Sequence, residues 1–124
     1  MYSADRFEFT PESFESTADV VIDATVRDQR GLHAAIARGL CFPDYYGANW
    51  NALIDCLSDL SWIDKGEVVI EHLVTPALPK RDLRLYLESL IDAATRRTSE
   101  ATPRLRLLFR IRDRPAVVAA LEAG

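Results

Sequence analysis

Cysteine is scarce in this chain of 124 residues, with Cys41 and Cys56 the only two. Neither has a histidine or an acid at ligand spacing, which excludes a disulfide framework and a zinc site. Both sit in apolar neighbourhoods and are expected as buried, reduced thiols. No apolar run is long enough to span a membrane. The opening MYSADRFEF is too polar for a signal peptide, so a cytoplasmic location is the expectation. Repeats, low-complexity runs and linkers are missing as well. One domain over 1–124 is therefore expected, with a core at about 19–112, an N-terminal extension at 1–18 and a C-terminal helix at 113–124. Histidine is equally rare. His33 falls on a predicted helix and His72 on a predicted strand, with no nucleophile or metal-ligand spacing beside them. The pattern points to no enzyme, no cofactor and no metal ion.

What is present is an uneven distribution of charge. The net charge is −4, yet the acid and the base are separated along the chain. Between Gly39 and Asp64 there are four aspartates (Asp44, Asp55, Asp59 and Asp64) and no Lys or Arg. Between Lys80 and Arg114 there are ten of the fifteen basic residues. The first stretch suits a cationic partner, and the second raises the question of nucleic acid. An isoelectric point near 5.1 argues against nucleic acid.

Hydrophobic periodicity predicts strands alternating with helices. DVVIDATV at 19–26 reads as a strand with Val20, Ile22, Ala24 and Val26 on one face. Asp28 caps a helix running to about Leu40, with Leu32, Ala35, Ile36 and Leu40 as its stripe and Gly39 near its end. Asn49 caps a second helix from Trp50 to about Leu60. VVIEHL at 68–73 is a short strand, and residues 81–97 form a long helix buried along Leu83, Tyr86, Leu87, Leu90 and Ile91. In RLRLLFRIR, at 104–112, Leu105, Leu107, Phe109 and Ile111 face inward, and four arginines face the other way. Glu8, Asp23 and Glu71 are placed to pair with those arginines across the sheet. A last helix covers 114–122, and RFEF can add an edge strand with Phe7 and Phe9 inward. Such an order predicts an α/β domain of two layers, its small sheet mostly parallel and its helices mainly on one face, the other face partly wet.

The residues richest in information are FPDYYGANWNALIDCL, Phe42 to Leu57. Gly47 is expected to permit a tight approach or a positive φ before the second helix. At about 100° per residue, Leu53, Cys56, Leu57 and Leu60 form an inward seam. Asn51, Asp55, Ser58 and Asp59 lie opposite it. Trp50 and Ile54 stand at the shoulder, and at least one of Tyr45 and Tyr46 is expected to be buried. An acidic stripe with an aromatic flank is the composition of a protein interface rather than of a catalytic cleft. A plain solvated helix face is the simpler alternative for Asp55.

This stretch resembles the signature of the barstar family, the intracellular inhibitors of secreted guanyl-type ribonucleases of the barnase class. The family pattern runs Leu or Phe, Pro, an acid, Tyr-Tyr-Gly, any residue, Asn, any residue, Asp or Asn, Ala-Leu, any residue, Asp-Cys-Leu. It is met here by Phe42, Pro43, Asp44, Tyr45, Tyr46, Gly47, Asn49, Asn51, Ala52, Leu53, Asp55, Cys56 and Leu57. Weaker similarity extends from the strand at 19–26 to the strand at 104–112. The resemblance implies a barstar-like fold with a three-stranded parallel sheet. It implies a binding function in which the 49–60 helix and its loop plug a ribonuclease active site. Asp55 would enter the phosphate pocket and meet catalytic arginines and a histidine. Tyr45 would pack on that histidine, while Asn49 and the backbone at Gly47 touch the substrate-recognition loops. Trp50, Asn51 and Ile54 would flank them, and Asp92 on the long helix matches an acidic residue of the same surface.

The chain departs from the family in three places. Asn51 stands where an acid is common, Ile54 where the type protein exposes an aromatic, and Cys41 is added while a cysteine near the last strand is missing. The partner implied is a barnase-like ribonuclease or a toxin nuclease with a cationic active site, met by a bacterial immunity protein that is a monomer when free. Neither direct nucleic-acid binding nor membrane binding is implied. The alternative is a regulatory protein-binding module that kept the fold and does not inhibit. The plug requires that the Asp55 carboxylate point outward and that no internal arginine hold it.

Overall fold

The computed structural model describes residues 2–15, 17–98 and 100–123, and among these it has four strands, four helices and two short 3-10 turns. In order they are β1 (Glu8–Thr10), β2 (Val20–Ile22), α1 (Gln29–Gly39), α2 (Trp50–Asp59), β3 (Glu67–His72), α3 (Lys80–Arg96), β4 (Arg104–Arg110) and α4 (Arg114–Glu122). The 3-10 turns are Ala4–Arg6 and Ile111–Asp113. The strands form one sheet in the order β1-β4-β3-β2, with every pairing parallel. The expected three-stranded core is thus β2-β3-β4, and the N-terminal RFEF segment supplies the edge strand. Parallel neighbours need a crossover between them. Here α1 and α2 carry the chain from β2 to β3, and α3 carries it from β3 to β4.

All the crossover helices lie on one face, where the core forms. Val20, Ile22, Val68, Ile70, Leu107 and Phe109 point into it and meet Leu32, Ile36, Leu53, Leu57, Leu87 and Leu90 from the helices. Phe7 joins them against the Phe109 ring at 4.8 Å. On α1, Gly39 is the point of closest approach to the sheet. A Cβ there would lie 2.6 Å from Val20 Cγ2 and 2.8 Å from the Asp19 carbonyl oxygen.

The opposite face differs from expectation, because it is largely covered. Strands β1 and β2 lie at opposite edges of the sheet, so the segment that joins them crosses behind β4 and β3. Arg110 holds this strap by donating to the carbonyls of Pro11 at 3.0 Å and Phe14 at 3.2 Å. Asp19 finishes it by exchanging hydrogen bonds with the Val69 backbone. Beneath the strap, Leu108 is fully buried, with Val69 and Thr10 nearly so.

The arginine stripe is an ion-pair ladder, as expected, with one change of partner. Arg106 clasps Glu8 through two hydrogen bonds, of 2.7 and 2.9 Å, and reaches Glu67 at 3.3 Å. Arg110 pairs with the buried Glu71 at 3.5 Å. Asp23 takes no part. Its Oδ1 accepts from the Thr25 amide at 2.9 Å and the Thr25 hydroxyl at 2.5 Å, forming a local turn. That turn stops β2 at Ile22, so Ala24 is exposed rather than inward. Ile111 is likewise 56% exposed, because β4 ends at Arg110 and the chain enters a 3-10 turn.

His72 is fully buried on the helix side of β3, stacked on Phe109 with centroids 3.9 Å apart. Its Nδ1 lies 2.8 Å from the Leu108 carbonyl, which can only accept, so Nδ1 carries the proton. Nε2 then accepts from the Tyr86 hydroxyl at 2.7 Å. Both ring nitrogens are satisfied by the neutral form. Burial pushes the imidazole down from 6.5 to about 4.

Two predictions follow from these contacts. An unfolded His72 takes up its proton near pH 6.5 and the folded one only near 4. Its contribution is therefore complete above pH 6.5 and is lost as pH falls toward 4, by about 3 kcal/mol. Urea unfolding between pH 7 and 4 should show that slope, and His72→Gln should flatten it. Gly39→Ala forces a methyl group against backbone and should lower stability by about 1–3 kcal/mol without changing the urea m-value.

Candidate functional site

The loop from Cys41 to Asn49 begins where α1 is shut off by its own backbone. The Phe42 amide donates to the Ala37 carbonyl at 2.9 Å and the Cys41 amide to that of Arg38 at 3.4 Å. Those two bonds form a Schellman turn, which places Cys41 in the left-handed region at φ 53°. The turn swings the Cys41 side chain outward, so this thiol is exposed and not buried as expected. Cys56 is buried. Burial, with the Asp55 and Asp59 carboxylates beside it, pushes that thiol up and keeps it protonated.

Aromatic packing fixes the rest of the loop. Phe42 sits edge-on to Tyr46 at 4.8 Å and to Trp62 at 5.9 Å. The Trp62 indole N–H donates to the Leu40 carbonyl at 2.8 Å. Beneath them lies His33, buried on α1, with the Trp50 ring 4.9 Å and the Tyr46 ring 5.8 Å away. The Tyr46 hydroxyl bonds to His33 Nδ1. Gln29 Nε2, a donor, faces the other ring nitrogen at 3.4 Å. His33 is therefore neutral with its proton on Nδ1, and its burial lowers its pKa. Of the two adjacent tyrosines, Tyr46 is the anchor, but it is half-buried where one member of the pair was expected to be buried. Tyr45 is 80% exposed.

The left-handed residue at the loop tip is Ala48, at φ 51°, and not Gly47. A Cβ on Gly47 would meet the Asn49 side chain at 3.2 Å, so the role of Gly47 is the close approach. Asn49 caps α2, its Oδ1 accepting from the Ala52 amide at 2.8 Å. At the other end Leu60 turns left-handed, and Arg97 from α3 donates to the carbonyls of Ser58 at 2.9 Å and Asp59 at 3.1 Å. A third Arg97 bond reaches the Pro103 carbonyl. Helix α2 is thus capped by a side chain at each end, which satisfies groups that helix geometry leaves unpaired.

Five of the expected site residues meet at one place. Tyr45, Gly47, Asn49, Asn51 and Asp55 line an open depression of about 370 Å³, floored in part by Cys56. Asp55 is the only carboxylate lining it. The three others do not join it. Trp50 is half-buried between His33 and Tyr86. Ile54 is only 9% exposed, because α3 covers the shoulder of α2 that was expected to face outward. Asp92 accepts from the Tyr2 hydroxyl at 3.0 Å and is bound to the N-terminal segment.

Asp55 points outward, but its other requirement is not met. Arg96 Nη1, on the last turn of α3, lies 3.2 Å from Asp55 Oδ1. The contact is single-pronged, and the side chains are 57% and 74% exposed. Neither Arg96 nor Arg97 was expected at the site. They lie about forty residues from their contacts in sequence, and only the approach of α3 to α2 brings them there.

A parallel α/β sheet with its helices on one face, and an aromatic-anchored loop leading into a capped helix, defines the barstar-like class of α/β proteins. The family model for Barstar (barnase inhibitor) matches residues 10–110, and the chain belongs to that family. The match begins at Thr10 and so takes in the strap. Proteins of this family are inhibitors and not enzymes. None of the curated proteins compared matches the chain. Among the described residues, no helix is long and apolar enough to cross a membrane.

The packing predicts opposite results for the adjacent tyrosines. Tyr46→Ala removes the ring and the hydroxyl that fill the space over His33, and it should cost about 2–4 kcal/mol in urea unfolding. Tyr45→Ala should stay within about 0.5 kcal/mol of wild type.

Proposed function

We propose that this protein inhibits a ribonuclease by inserting Tyr45 and Asp55 into a cationic active site, with Gly47, Asn49 and Asn51 packing around them. The observation that carries this reading is the division of labour between the two tyrosines. Tyr46 holds the loop, which leaves Tyr45 almost wholly exposed beside a solvent-facing carboxylate. An exposed tyrosine beside a carboxylate, at the rim of a depression, has the composition of a recognition surface. Tyrosine offers large contact area with few rotors to freeze. A ribonuclease that binds phosphate needs fixed positive charge, and a carboxylate can take the place of the phosphate through charge-assisted hydrogen bonds. The anionic run from Asp44 to Asp64 supports steering toward such a target.

An internal arginine does hold Asp55, against the condition set for the plug, so the plug depends on that pair being weak enough for a partner to displace. Exposed ion pairs contribute about 0–1 kcal/mol, and this one engages a single oxygen. A buried, multiply bonded cation in an enzyme pocket outcompetes it. The surface is narrower than the full resemblance implied, since Trp50 and Ile54 serve the core and Asp92 is bound to Tyr2. That reduction is what favours the second reading, a binding module of this fold with a different partner. As an inhibitor, the protein acts in the cytoplasm of a producing cell or as immunity against a toxin nuclease.

Inhibition of a barnase-class ribonuclease is the direct test. Asp55→Ala should weaken it roughly 10- to 100-fold, the worth of one charged hydrogen-bonding group, and Tyr45→Ala by about tenfold or more. Unfolding curves should be unchanged for both. Association should slow as salt is added. Full potency in either variant rejects the plug.

A further inference from the structure

Arg96 has no structural duty that explains its position. Among the described residues its one side-chain bond is to Asp55, and it is more than half exposed. Its neighbour Arg97, by contrast, is committed to three backbone carbonyls. A positive charge on the last turn of α3 suits the helix dipole, but that would hold for an arginine pointing anywhere. This one points at the single carboxylate of the depression.

The geometry points to Arg96 as a built-in competitor that determines which partners the site accepts. The inference rests on the inhibitor reading and adds the chemistry of the partner. Nη1 of Arg96 covers Oδ1 of Asp55. An incoming group must therefore displace a guanidinium that is already in place. A lone ammonium offers one point charge and gains little from that exchange. A guanidinium that grips both carboxylate oxygens gains a second bond. The site thus selects a bidentate arginine, or two converging cations, over a single lysine. Arg96 also places a positive charge at the rim of a surface meant for cations, which lowers the association rate for every cationic partner. Removing it should strengthen binding, the reverse of what loss of an ordinary interface arginine does.

The test is inhibition and stopped-flow association with a barnase-class ribonuclease at low ionic strength, in a cycle of Arg96→Gln, Asp55→Asn and the double variant. Arg96→Gln should bind about 2- to 5-fold more tightly, the scale of one exposed ion pair, and should associate faster. Most of that gain should disappear in the Asp55→Asn background, leaving only the smaller part that comes from removing a rim charge. Arg96→Lys, which keeps the charge and a one-point contact, should stay close to wild type. Unchanged or weaker binding by Arg96→Gln overturns the inference, since Arg96 would then hold Asp55 in place for the partner. An equal gain in the Asp55→Asn background also overturns it, because only overall charge would be at work. If neither wild type nor Arg96→Gln binds the ribonuclease, the inhibitor reading falls first and this inference with it.

Discussion

Tyr46 lies against His33 and Trp50, and its hydroxyl is bonded to the buried imidazole. Most of what the surface presents depends on that contact. The loop has few backbone hydrogen bonds of its own, among them the Tyr46 amide to the Pro43 carbonyl. Without the ring it would have little to define its path. With Tyr46 seated, the two residues that follow must bend back to reach the cap of α2, and the left-handed Ala48 is the cost of that bend. Tyr45, one residue earlier, is directed to solvent. Order in the loop before any partner arrives lowers the entropy lost on binding.

The same economy governs the charges. Most of the cations in the second half of the chain are occupied elsewhere. Arg106 and Arg110 tie β1, the strap and β3 to β4, Arg112 reaches Glu12 and the Leu73 carbonyl, and Arg97 closes α2. Among the described residues, two arginines of α3 reach the acidic run from Asp44 to Asp64: Arg96 pairs with Asp55, and Arg97 closes the end of α2 beside Asp59. Much of the base is drawn onto the sheet, while Arg96 and Arg97 approach one side of α2 and leave the loop from Asp44 to Asn49 without a cation in contact among the described residues. Such a dipolar surface steers a cationic partner toward one side of the molecule.

Much of this architecture is legible in the sequence because local signals agree with one another. Asn49 before the apolar seam of Leu53, Leu57 and Leu60 marks α2, and the structure differs from that reading by one residue at its end. Alternation in RLRLLFRIR marks β4, and the acids on neighbouring strands identify its partners. The errors have a common cause. Ala24 and Ile111 continue a pattern past the point where a turn ends the strand, and Asp23 answers to its neighbour Thr25 rather than to the sheet. Ile54 changes sides for a tertiary reason, covered by α3, and Cys41 for a local one, swung out by the turn that ends α1. The strap was invisible because only strand order, with β1 and β2 at opposite edges, forces it across the sheet. The pair of Asp55 with Arg96 joins positions 41 residues apart, and no local pattern announces it.

The central claim is that the ordered loop from Asp44 to Asn49 and the outer face of α2 together form the surface that meets a partner. Amide NMR of the labelled protein on addition of a barnase-class ribonuclease tests it most directly. The account predicts shifts concentrated between residues 44 and 56 and at Arg96, with the strap and α4 unmoved. A footprint centred on the strap or on α4 would contradict it.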